Sequence, residues 1–401
     1  MKKNALYAQS GGVTSVINSS AYGVIKSVME TNEINELFIG KNGLNGVFEK
    51  KFFKLSEMDI KQIELLPFTP ASAFGSCRKK IKKDEELKKL FNVFQELNIK
   101  YFFYNGGNDS MDTANKVNDY AIKNGYDLVV IGIPKTVDND LFGTDHTPGY
   151  GSAAKFLSVS MYEGLLDVRS MAKDSTKVFV LETMGRHAGW LTAAASLCSL
   201  NSKISPKVIL LPEVAFDKQK FLSLVEESVM KDGFCGISVS EGIKDDKGAF
   251  LSDLGYLDNF GNKQLGNVGN FISGMVFKEL NIKVHTAIPD YLQRSGRHIS
   301  SKADVEEAIM VGKKAVEFAL KGLSGFMVTI DRLLSKNYEV EYKMIELSNV
   351  ANHTKYLPKE FIGDNNMSVN ENFYKYASPL INGEFYPKYK NGIPIYSFFN
   401  Y

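Results

Sequence analysis

Short apolar runs alternate with longer amphipathic stretches along most of this chain. The apolar runs have the length and the β-branched and aromatic content of buried strands, whereas the amphipathic stretches have the three-to-four-residue repeat of helices. Strands are predicted at residues 6–8, 101–104, 127–133, 177–181, 208–211, 237–239 and 326–330, and residues 338–345 are predicted to form a hairpin with the last of these. The alternation of strands and helices indicates an α/β fold with mainly parallel sheets.

The predicted helices begin close to the ends of predicted strands. A helix is expected over 15–29, with Thr14 or Ser15 as its N-cap, and another from 106–110 to about 124, where Gly125 is a stop signal. The segment 184–187 is predicted to open a helix that continues to about 195, and residues 305–320 have helical periodicity. Beyond about residue 355 the periodicity is weak but aromatic residues are frequent, which favours an ordered extension over disorder.

Length and composition limit the classes of protein to which the chain can belong. The chain has 401 residues, 44% of them hydrophobic, which suffices for a large core in two domains or lobes. Lys and Arg total 48 against 46 Asp and Glu, and this balance argues against nucleic acid as a partner. The cysteines are far apart, which fits a reducing cytosol, and no stretch has the pattern of a signal peptide or a membrane span. We therefore expect a cytoplasmic protein without membrane or nucleic-acid partners.

Polar loops, most of them with glycines, follow several of the predicted strands. They comprise Ser10-Gly11-Gly12, 106–110, 134–140 and 184–186. Loops that follow parallel strands gather at one edge of a sheet, where glycines let backbone N–H groups approach an anion and a helix N-terminus adds a favourable dipole. The loops Ser10-Gly11-Gly12 and 106–110 are neither Walker A nor GxGxxG sequences. Taken alone, each is more often an ordinary strand–helix turn. Their joint occurrence predicts a site for an anionic ligand.

The segment 133–140 carries the most informative chemistry. It brings together in one short turn Lys135, Thr136, Asp138 and Asp140. A lysine holds a phosphate as a point charge, and a carboxylate takes a proton from a hydroxyl or helps to hold a divalent metal. Each residue alone has an ordinary explanation, the aspartates as caps of their own turn and the lysine as a surface charge. Together they are the parts that phosphoryl transfer needs.

With these residues the chain resembles the phosphofructokinase family. The matching motifs occur in the family's order, from the N-terminus to about residue 330, at Gly11-Gly12, 106–110, 134–140, 184–186, Glu241 and Gln293-Arg294. Each motif is weak by itself, whereas the set is highly specific. The resemblance implies a phosphofructokinase fold of two Rossmann-like α/β lobes with mainly parallel sheets and an active site in the cleft between them.

The resemblance also implies how the chain is divided. Residues 1–150, completed by about 297–345, are expected to form the lobe that binds the phosphoryl donor, and residues 151–296 the lobe that binds the sugar phosphate. Residues 346–401 are expected to form a C-terminal extension. A homodimer or homotetramer is expected, because the family makes a sugar-phosphate contact across a subunit interface.

Two positions indicate a branch of the family. ATP-using members usually have glycine where Asp109 and Lys135 stand, whereas pyrophosphate-using members have aspartate and lysine there. Side chains at these positions crowd the space that a nucleoside needs, and Lys135 supplies charge for pyrophosphate. The sequence 187–190 and the extension past the usual ATP-type length also resemble the pyrophosphate-using forms.

The resemblance implies a role for each matching residue on the donor side. Asp138 resembles the general base that takes the proton from the sugar 1-hydroxyl, Thr136 the residue that helps to place that hydroxyl, and Lys135 the cation that holds the transferring phosphoryl group. The other residues expected at the donor are Gly11, Gly12 and Arg78. The expected ligands of Mg²⁺ are Asp109, Asp140 and Asn108, the last of which stands where many members have aspartate.

On the acceptor side the resemblance is less complete. The residues expected to bind the sugar phosphate are Lys177, Met184, Gly185, Arg186, Glu241, Tyr291 and Arg294. Arg294 resembles the clamp of the 6-phosphate, where an arginine fork suits an oxyanion, and Glu241 is expected to accept hydrogen bonds from sugar hydroxyls. Lys177 stands where many members have an arginine that crosses the subunit interface, and Tyr291 replaces a histidine. Another family arginine is missing around His285, where His285 or Lys283 is a candidate substitute.

The leading hypothesis is Mg²⁺-dependent, reversible phosphoryl transfer from pyrophosphate to fructose 6-phosphate, a step of glycolysis. The open alternatives are ATP as the donor, another sugar phosphate such as sedoheptulose 7-phosphate as the acceptor, and a non-catalytic sugar-phosphate sensor. The departures on the acceptor side keep the second alternative open, whereas the presence of Asp138 argues against a sensor. A dinucleotide-binding oxidoreductase would need a GxGxxG sequence after the first strand, which residues 10–15 do not supply.

Overall fold

The protein divides into two compact units. The computed structural model describes residues 2–257, 263–265 and 267–400. The first unit comprises Met1–Ser152, Ser295–Lys355 and Gly383–Tyr401, and the second comprises Ala153–Arg294 and Tyr356–Asn382. The chain therefore passes from the first unit into the second twice. The assignment of donor binding to residues 1–150 and of sugar binding to residues 151–296 stays a prediction.

Helices and strands alternate through both units. The strands among the described residues are β1 (Lys3–Gln9), β2 (Ile34–Gly40), β3 (Phe52–Lys54), β4 (Ile99–Gly106), β5 (Val129–Pro134), β6 (Val178–Thr183), β7 (Val208–Leu210), β8 (Cys235–Ser240), β9 (Asp253–Leu257), β10 (Lys263–Leu265), β11 (Val284–Ala287), β12 (Phe326–Arg332), β13 (Val340–Glu346), β14 (Tyr389–Lys390) and β15 (Ile393–Pro394). The α-helices are α1 (Ile17–Glu30), α2 (Leu44–Phe48), α3 (Ile60–Leu65), α4 (Asp84–Glu96), α5 (Asn108–Lys123), α6 (Tyr150–Met171), α7 (Trp190–Ala194), α8 (Lys218–Asp232), α9 (Val268–Leu280), α10 (Leu292–Ser295), α11 (Lys302–Leu320), α12 (Leu347–Val350) and α13 (Glu371–Ala377). Short 3-10 turns lie at Leu55–Glu57, Leu66–Phe68, Ala195–Leu200, Arg297–Ile299, Lys359–Phe361 and Ser378–Ile381.

The first unit is built on a sheet in which the described residues form seven strands, in the order β13-β12-β5-β4-β1-β2-β3. The five inner strands are parallel, and the outer strands β3 and β13 run antiparallel to their neighbours. Ala5 and Tyr7 of β1 belong to one apolar cluster and Leu6 and Ala8 to another, so the sheet is buried on both faces. The strand order reverses between β1 and β4, and ligands of open α/β sheets bind beyond the carboxyl ends of the strands at such a point.

The second unit contains a parallel sheet in the order β11-β6-β8-β7, counted over the described residues. Its apolar residues, such as Val180 and Ile237, are buried in one cluster with Phe221 of α8 and Ile272 of α9. Because the four strands are parallel, the loops after β6, β8 and β11 meet at one edge of this sheet. These loops and the short helix α10 contain the predicted residues of the acceptor side except Lys177, which precedes β6.

The predicted fold class, α/β with mainly parallel sheets, is confirmed. Every predicted strand overlaps a strand of the structure, and 326–330 and 338–345 form the predicted antiparallel hairpin, β12 and β13. The predicted N-cap of the first helix is wrong. Helix α1 begins at Ile17 without a side-chain cap, and the Thr14 hydroxyl instead accepts a hydrogen bond from the Val16 N–H at 3.2 Å.

The predicted start of the next helix at 184–187 is also wrong, because α7 begins only at Trp190. Gly185 has a φ of +127°, which is incompatible with a helix, and its carbonyl accepts a hydrogen bond from the Ser240 hydroxyl at 2.6 Å. The Gly189 N–H donates to the Glu213 carboxylate at 2.8 Å. Contacts with distant side chains therefore hold residues 184–189 as a loop.

The C-terminal extension is shared between the units. Residues up to Lys355 and from Gly383 belong to the first unit, and Tyr356–Asn382 to the second. Aromatic contacts fix both parts, as the composition predicts, with ring centroids of Trp190 and Tyr376 5.2 Å apart and those of Phe53 and Phe399 5.6 Å apart. Within the described part of the chain, no helix is both long and apolar enough to cross a membrane.

Candidate active site

The loops after β1 and β4 lie at the point where the strand order of the first sheet reverses. Gly11 has a φ of +77°, a conformation that glycine adopts without strain, and its N–H donates to the Cys77 carbonyl at 2.9 Å. Ser10 forms a parallel bridge with Cys77, so the exposed Arg78 follows directly after the residue that holds this loop. The bridge between Ser10 and Cys77 therefore brings Gly11, Gly12 and Arg78 into one region.

Lys135 joins this glycine loop to the carboxyl end of β5. Its side chain is buried, with 3% of the residue exposed, and its ammonium group donates to the Gly12 carbonyl. A Cβ atom at Gly11 would lie 3.4 Å from the Lys135 Nζ, so a glycine there keeps space beside the ammonium group. The Lys135 N–H donates to the Gly106 carbonyl at 3.1 Å. A positive charge thus lies among three loops that follow β1, β4 and β5.

The turn after Lys135 is held by its own side chains. The Asp138 N–H donates to the Thr136 hydroxyl oxygen at 3.1 Å, and the Thr136 side chain also forms a hydrogen bond with the Asp140 carboxylate. Burial raises the pKa of Asp140, although the bond from Thr136 and the charges of Lys355 and Lys135 act in the opposite direction. Asn139, between the two aspartates, has a φ of +54°. This left-handed residue gives the turn its shape.

The first turn of α5 contains Asn108 and Asp109, which have different partners. The Asp109 carboxylate is exposed and forms an ion pair with Lys80 at 2.9 Å. The Asn108 amide group donates from Nδ2 to the His353 carbonyl and accepts from the Asn352 N–H, each at 2.6 Å. An aspartate at 108 could not donate to His353, which gives a physical reason for the asparagine at this position.

The carboxylates of this region suit a magnesium ion. Mg²⁺ prefers oxygen ligands and usually binds through one or two carboxylates together with waters and substrate phosphates. Asp109 and Asp140 supply such oxygens, whereas both polar atoms of the Asn108 side chain bond to the backbone. Among residues 2–257, 263–265 and 267–400, no cluster of three or more His, Cys, Asp and Glu has the arrangement of a metal site. The predicted ligation by Asp109, Asp140 and Asn108 stays a prediction.

In the second unit, residues 184–186 and Glu241 meet at the carboxyl edge of the sheet. The Gly185 N–H donates to the Glu241 carboxylate at 3.4 Å, and the Glu241 N–H donates to the Thr183 carbonyl at 3.0 Å. Burial raises the pKa of Glu241, while the charge of Arg186 and the bond from Gly185 lower it. A carboxylate and a guanidinium group therefore lie near each other in the loops that follow the adjacent strands β6 and β8.

The loop after β11 completes this edge. The Arg294 guanidinium stacks on the Tyr291 ring, 3.8 Å from its centroid, and Gln293 accepts a hydrogen bond from the Met184 N–H at 3.0 Å. The three loops surround a pocket of about 160 Å³. Its lining includes Glu182, Met184, Glu241, Asn267, Asp290 and Gln293. Carboxylates and amides of this kind accept hydrogen bonds from several hydroxyl groups at once.

Comparison with known proteins identifies the family of the chain. A family model described as Phosphofructokinase matches residues 4–319. The chain belongs to the phosphofructokinase family. A protein of Halomonas elongata named pyrophosphate–fructose 6-phosphate 1-phosphotransferase is 46% identical over 396 residues, which cover 98% of this chain and 94% of that protein. A protein of Alkalicoccus urumqiensis named sulfofructose kinase is 33% identical over 88% of this chain and 90% of its own length.

A solved structure is similar over nearly the whole length of this chain. The crystal structure of pyrophosphate-dependent phosphofructokinase from Nitrosospira multiformis is 45% identical, with a TM-score of 0.92. The match covers 98% of this chain and 95% of that one. The predicted membership of the phosphofructokinase family and the predicted α/β fold are therefore confirmed.

Lys177 has local partners at the end of helix α6. Its ammonium group donates to the Ala172 carbonyl, and the Lys173 carbonyl lies 3.5 Å from the same group. These carbonyls follow the C-terminus of α6, where a cation is favourable because of the helix dipole. The predicted contact of Lys177 with a sugar phosphate stays a prediction. His285 lies on β11 with its side chain exposed.

Sequence patterns missed several polar residues of the first unit. The buried His146 lies between two carboxylates, 2.8 Å from Asp145 and 2.6 Å from Glu307. Lys355, in the extension, donates to the side chain of Asn139 at 3.2 Å. The sequence has only a weak signal for either, a histidine or a lysine beside polar neighbours, because their partners lie far away along the chain.

Proposed function

We propose that this protein transfers a phosphoryl group from pyrophosphate to the 1-hydroxyl of fructose 6-phosphate, with Mg²⁺, to give fructose 1,6-bisphosphate and phosphate. The observation that carries this proposal is the buried Lys135, whose ammonium group bonds to Gly12 and lies beside Gly11. A fixed cation at the carboxyl edge of a sheet suits the compact charge of pyrophosphate. The names of the relatives with 45–46% identity support the same donor and acceptor.

The donor is held by charge and by backbone groups. Lys135 stabilises the negative charge that spreads over the transferring phosphoryl oxygens, and the loop of Gly11 and Gly12 lets the backbone approach them closely. Arg78 adds a second cation. The Asp109 carboxylate, in the first turn of α5, lies 2.9 Å from the Lys80 ammonium group. This ion pair occupies space on the donor side. A nucleoside would have to displace it, which favours pyrophosphate over ATP.

Proton transfer is assigned to Asp138. Its carboxylate takes the proton of the 1-hydroxyl as that oxygen forms a bond to phosphorus, and the bond from phosphorus to the bridging oxygen of pyrophosphate breaks, so that phosphate leaves. Thr136 donates to Asp140 and accepts from the Asp138 N–H, so it orients both carboxylates. Asp109 and Asp140 would hold Mg²⁺, which would neutralise charge on the phosphates.

The sugar phosphate is assigned to the loops after β6, β8 and β11. Arg294, stacked on Tyr291, presents a planar fork that matches a phosphate, and Arg186 adds charge. Glu241 accepts hydrogen bonds from sugar hydroxyls within the pocket of about 160 Å³. Met184 lines this pocket, and Gly185 follows it in the same loop. The reaction is reversible. The gap in phosphoryl-transfer potential between pyrophosphate and a sugar phosphate ester is smaller than the gap between ATP and that ester.

A second acceptor has a specific observation in its favour. A relative 33% identical over 88% of the chain is named sulfofructose kinase, so the same framework accompanies a different anionic sugar. The departures from the family at Lys177, Tyr291 and His285 are all on the acceptor side. Sedoheptulose 7-phosphate and sulfofructose are therefore tested beside fructose 6-phosphate.

We also propose a cytoplasmic homodimer or homotetramer. The strand β11 is the edge of the second sheet, and His285 on it is exposed. Nearby helix α9 exposes Phe271 and Phe277, with 46% and 58% of their surface accessible. An open strand edge beside exposed aromatic residues supports association with a second copy.

The deciding experiment measures fructose 1,6-bisphosphate formation by the purified protein with Mg²⁺ and fructose 6-phosphate. One reaction contains pyrophosphate and the other ATP. Turnover with pyrophosphate alone is expected. Turnover with ATP alone would refute the donor assignment, and inactivity with both donors on fructose 6-phosphate, but activity on another sugar phosphate, would refute the acceptor assignment.

A further inference from the structure

A segment of the C-terminal extension contacts two loops of the candidate active site. This clamp segment, residues 352–355, lies beyond the residues 4–319 that the family model matches. Its Asn352 N–H and His353 carbonyl both bond to the side chain of Asn108, each at 2.6 Å. Thr354 pairs with Leu141 in an antiparallel bridge. The segment is therefore joined to the loop after β4 and to the loop after β5.

Lys355 makes the largest set of these contacts. Its N–H donates to the Asp140 carbonyl at 2.8 Å. Its ammonium group donates to the Asn139 side-chain oxygen at 3.2 Å and to the carbonyls of Thr144 and Asp145 at 3.2 and 2.7 Å. An ammonium group has three N–H donors, so it can bond to these three acceptors at the same time.

The ammonium end of Lys355 is enclosed, although part of the residue remains accessible. Burial lowers the pKa of Lys355 to about 7, even though the charges of Asp145 and Asp140 favour the protonated form, and Arg332 adds a repulsive charge. Enclosing a cation is costly, and an apolar side chain of similar length would stabilise a purely structural contact at least as well. The directional bonds of the ammonium group are what an apolar residue could not supply.

These bonds act on the residues next to the proposed base. Asn139 lies between Asp138 and Asp140 and has a φ of +54°, so its backbone is in the left-handed region. Fixing its side chain fixes the directions in which the two neighbouring carboxylates leave the turn. The Lys355 contacts at residues 139, 140, 144 and 145 hold both ends of the same loop.

We propose that Lys355 is a positioning residue for phosphoryl transfer, which orients the carboxylates of Asp138 and Asp140 through Asn139 and the carbonyls of Thr144 and Asp145. The proposal rests on the proposed function for its kinetic consequence. The order of the loop that Lys355 holds is a separate consequence, which does not depend on the substrate.

The experiment compares Lys355→Met, Asn139→Gly, the double variant and the control Lys359→Met. Lys359 is an exposed lysine of the same extension. Glycine at 139 keeps the left-handed backbone accessible while it removes the side-chain acceptor. Steady-state kinetics give kcat and KM for both substrates, and amide hydrogen exchange is measured over residues 136–145.

We expect Lys355→Met to lower kcat by about 100-fold, the cost of a misplacement of roughly 1 Å, with each KM changed by less than about threefold. The double variant should lose much less than the product of the two single losses, because both act on one contact. Amide exchange over 136–145 should rise in Lys355→Met but not in Lys359→Met. A merely structural lysine would change the unfolding midpoint without this kcat loss or this coupling.

Each result decides the proposal. Unchanged kcat in folded Lys355→Met, or multiplicative losses in the double variant, overturns it. If the wild type has no turnover with either donor, the proposed function fails, and the exchange measurement still decides the role of Lys355. Unchanged exchange over 136–145 then overturns the role, and raised exchange supports it.

Discussion

The substitution His146→Gln is expected to destabilise the first unit in a manner that depends on pH. Burial by itself lowers the pKa of His146, but the charges and hydrogen bonds of Glu307 and Asp145 more than reverse this and raise it to about 9. Tyr338 donates to Glu307 at 2.6 Å, and Arg332 contacts Asp145 at 3.1 Å. The imidazolium thus separates two carboxylates that are themselves held in place.

The magnitude follows from the two pKa values of the imidazole. In the unfolded chain the pKa is near 6.5, and in the folded protein it is about 9, a difference worth about 3 kcal/mol of the free energy of unfolding. Because the folded value is the higher one, this stabilisation is fully present below pH 6.5 and is lost as the pH rises through 9. Between these values the folded state retains a proton that the unfolded state has released.

The assay is urea unfolding of the wild type and His146→Gln at pH 6 and at pH 9.5, followed by far-UV circular dichroism. The single tryptophan, Trp190, lies in the second unit, so its fluorescence would not report on His146. Lys355, with its pKa lowered to about 7, changes stability with pH in the opposite direction. The contribution of His146 is therefore taken from the difference between variant and wild type.

We expect this difference to be about 3 kcal/mol at pH 6 and under about 1 kcal/mol at pH 9.5. The control His285→Gln, at an exposed imidazole, should show neither loss. An equal loss at both pH values would refute the claim that a charged His146 stabilises the fold, because the effect would then come from packing alone.

Three further variants test the proposed reaction. Asp138→Asn should keep the unfolding midpoint and lower turnover by about 10²–10⁴-fold, since it removes a positioned base. The double variant Asp109→Gly with Lys135→Gly should lower turnover with pyrophosphate and admit ATP, as measured with both donors. Glu241→Gln should raise the KM for fructose 6-phosphate by about 10-fold or more and leave that for pyrophosphate unchanged, because it weakens hydrogen bonds to sugar hydroxyls.

Each of these predictions has an outcome that contradicts it. Wild-type turnover in Asp138→Asn would remove that residue from the role of base. Unchanged pyrophosphate kinetics in the double glycine variant would refute the donor argument, and single variants serve as its controls because either side chain alone crowds the space. A rise in the KM for pyrophosphate in Glu241→Gln, or the same effect in the exposed Glu226→Gln, would refute its assignment to the sugar.

The first sheet illustrates what local patterns predict well. The polar loops after β1, β4 and β5 were predicted from their position after apolar runs, and parallel pairing of these strands brings Lys135 to the Gly12 carbonyl. The loop 184–189 illustrates the opposite case. Its sequence suits a helix start. A hydrogen bond from the Ser240 hydroxyl and another to the Glu213 carboxylate, both distant along the chain, keep it in a loop conformation.

Periodicity and neighbours within a few residues are enough to predict the α/β class, the order of the motifs and the residue types available for phosphoryl transfer. The partners of each side chain depend on tertiary structure. Lys355 meets Asn139 across 216 residues, and His146 meets Glu307 across 161. Such contacts depend on which strands are adjacent and on distances near 3 Å between atoms, and a sheet order such as β13-β12-β5-β4-β1-β2-β3 is set by the packing of the whole unit.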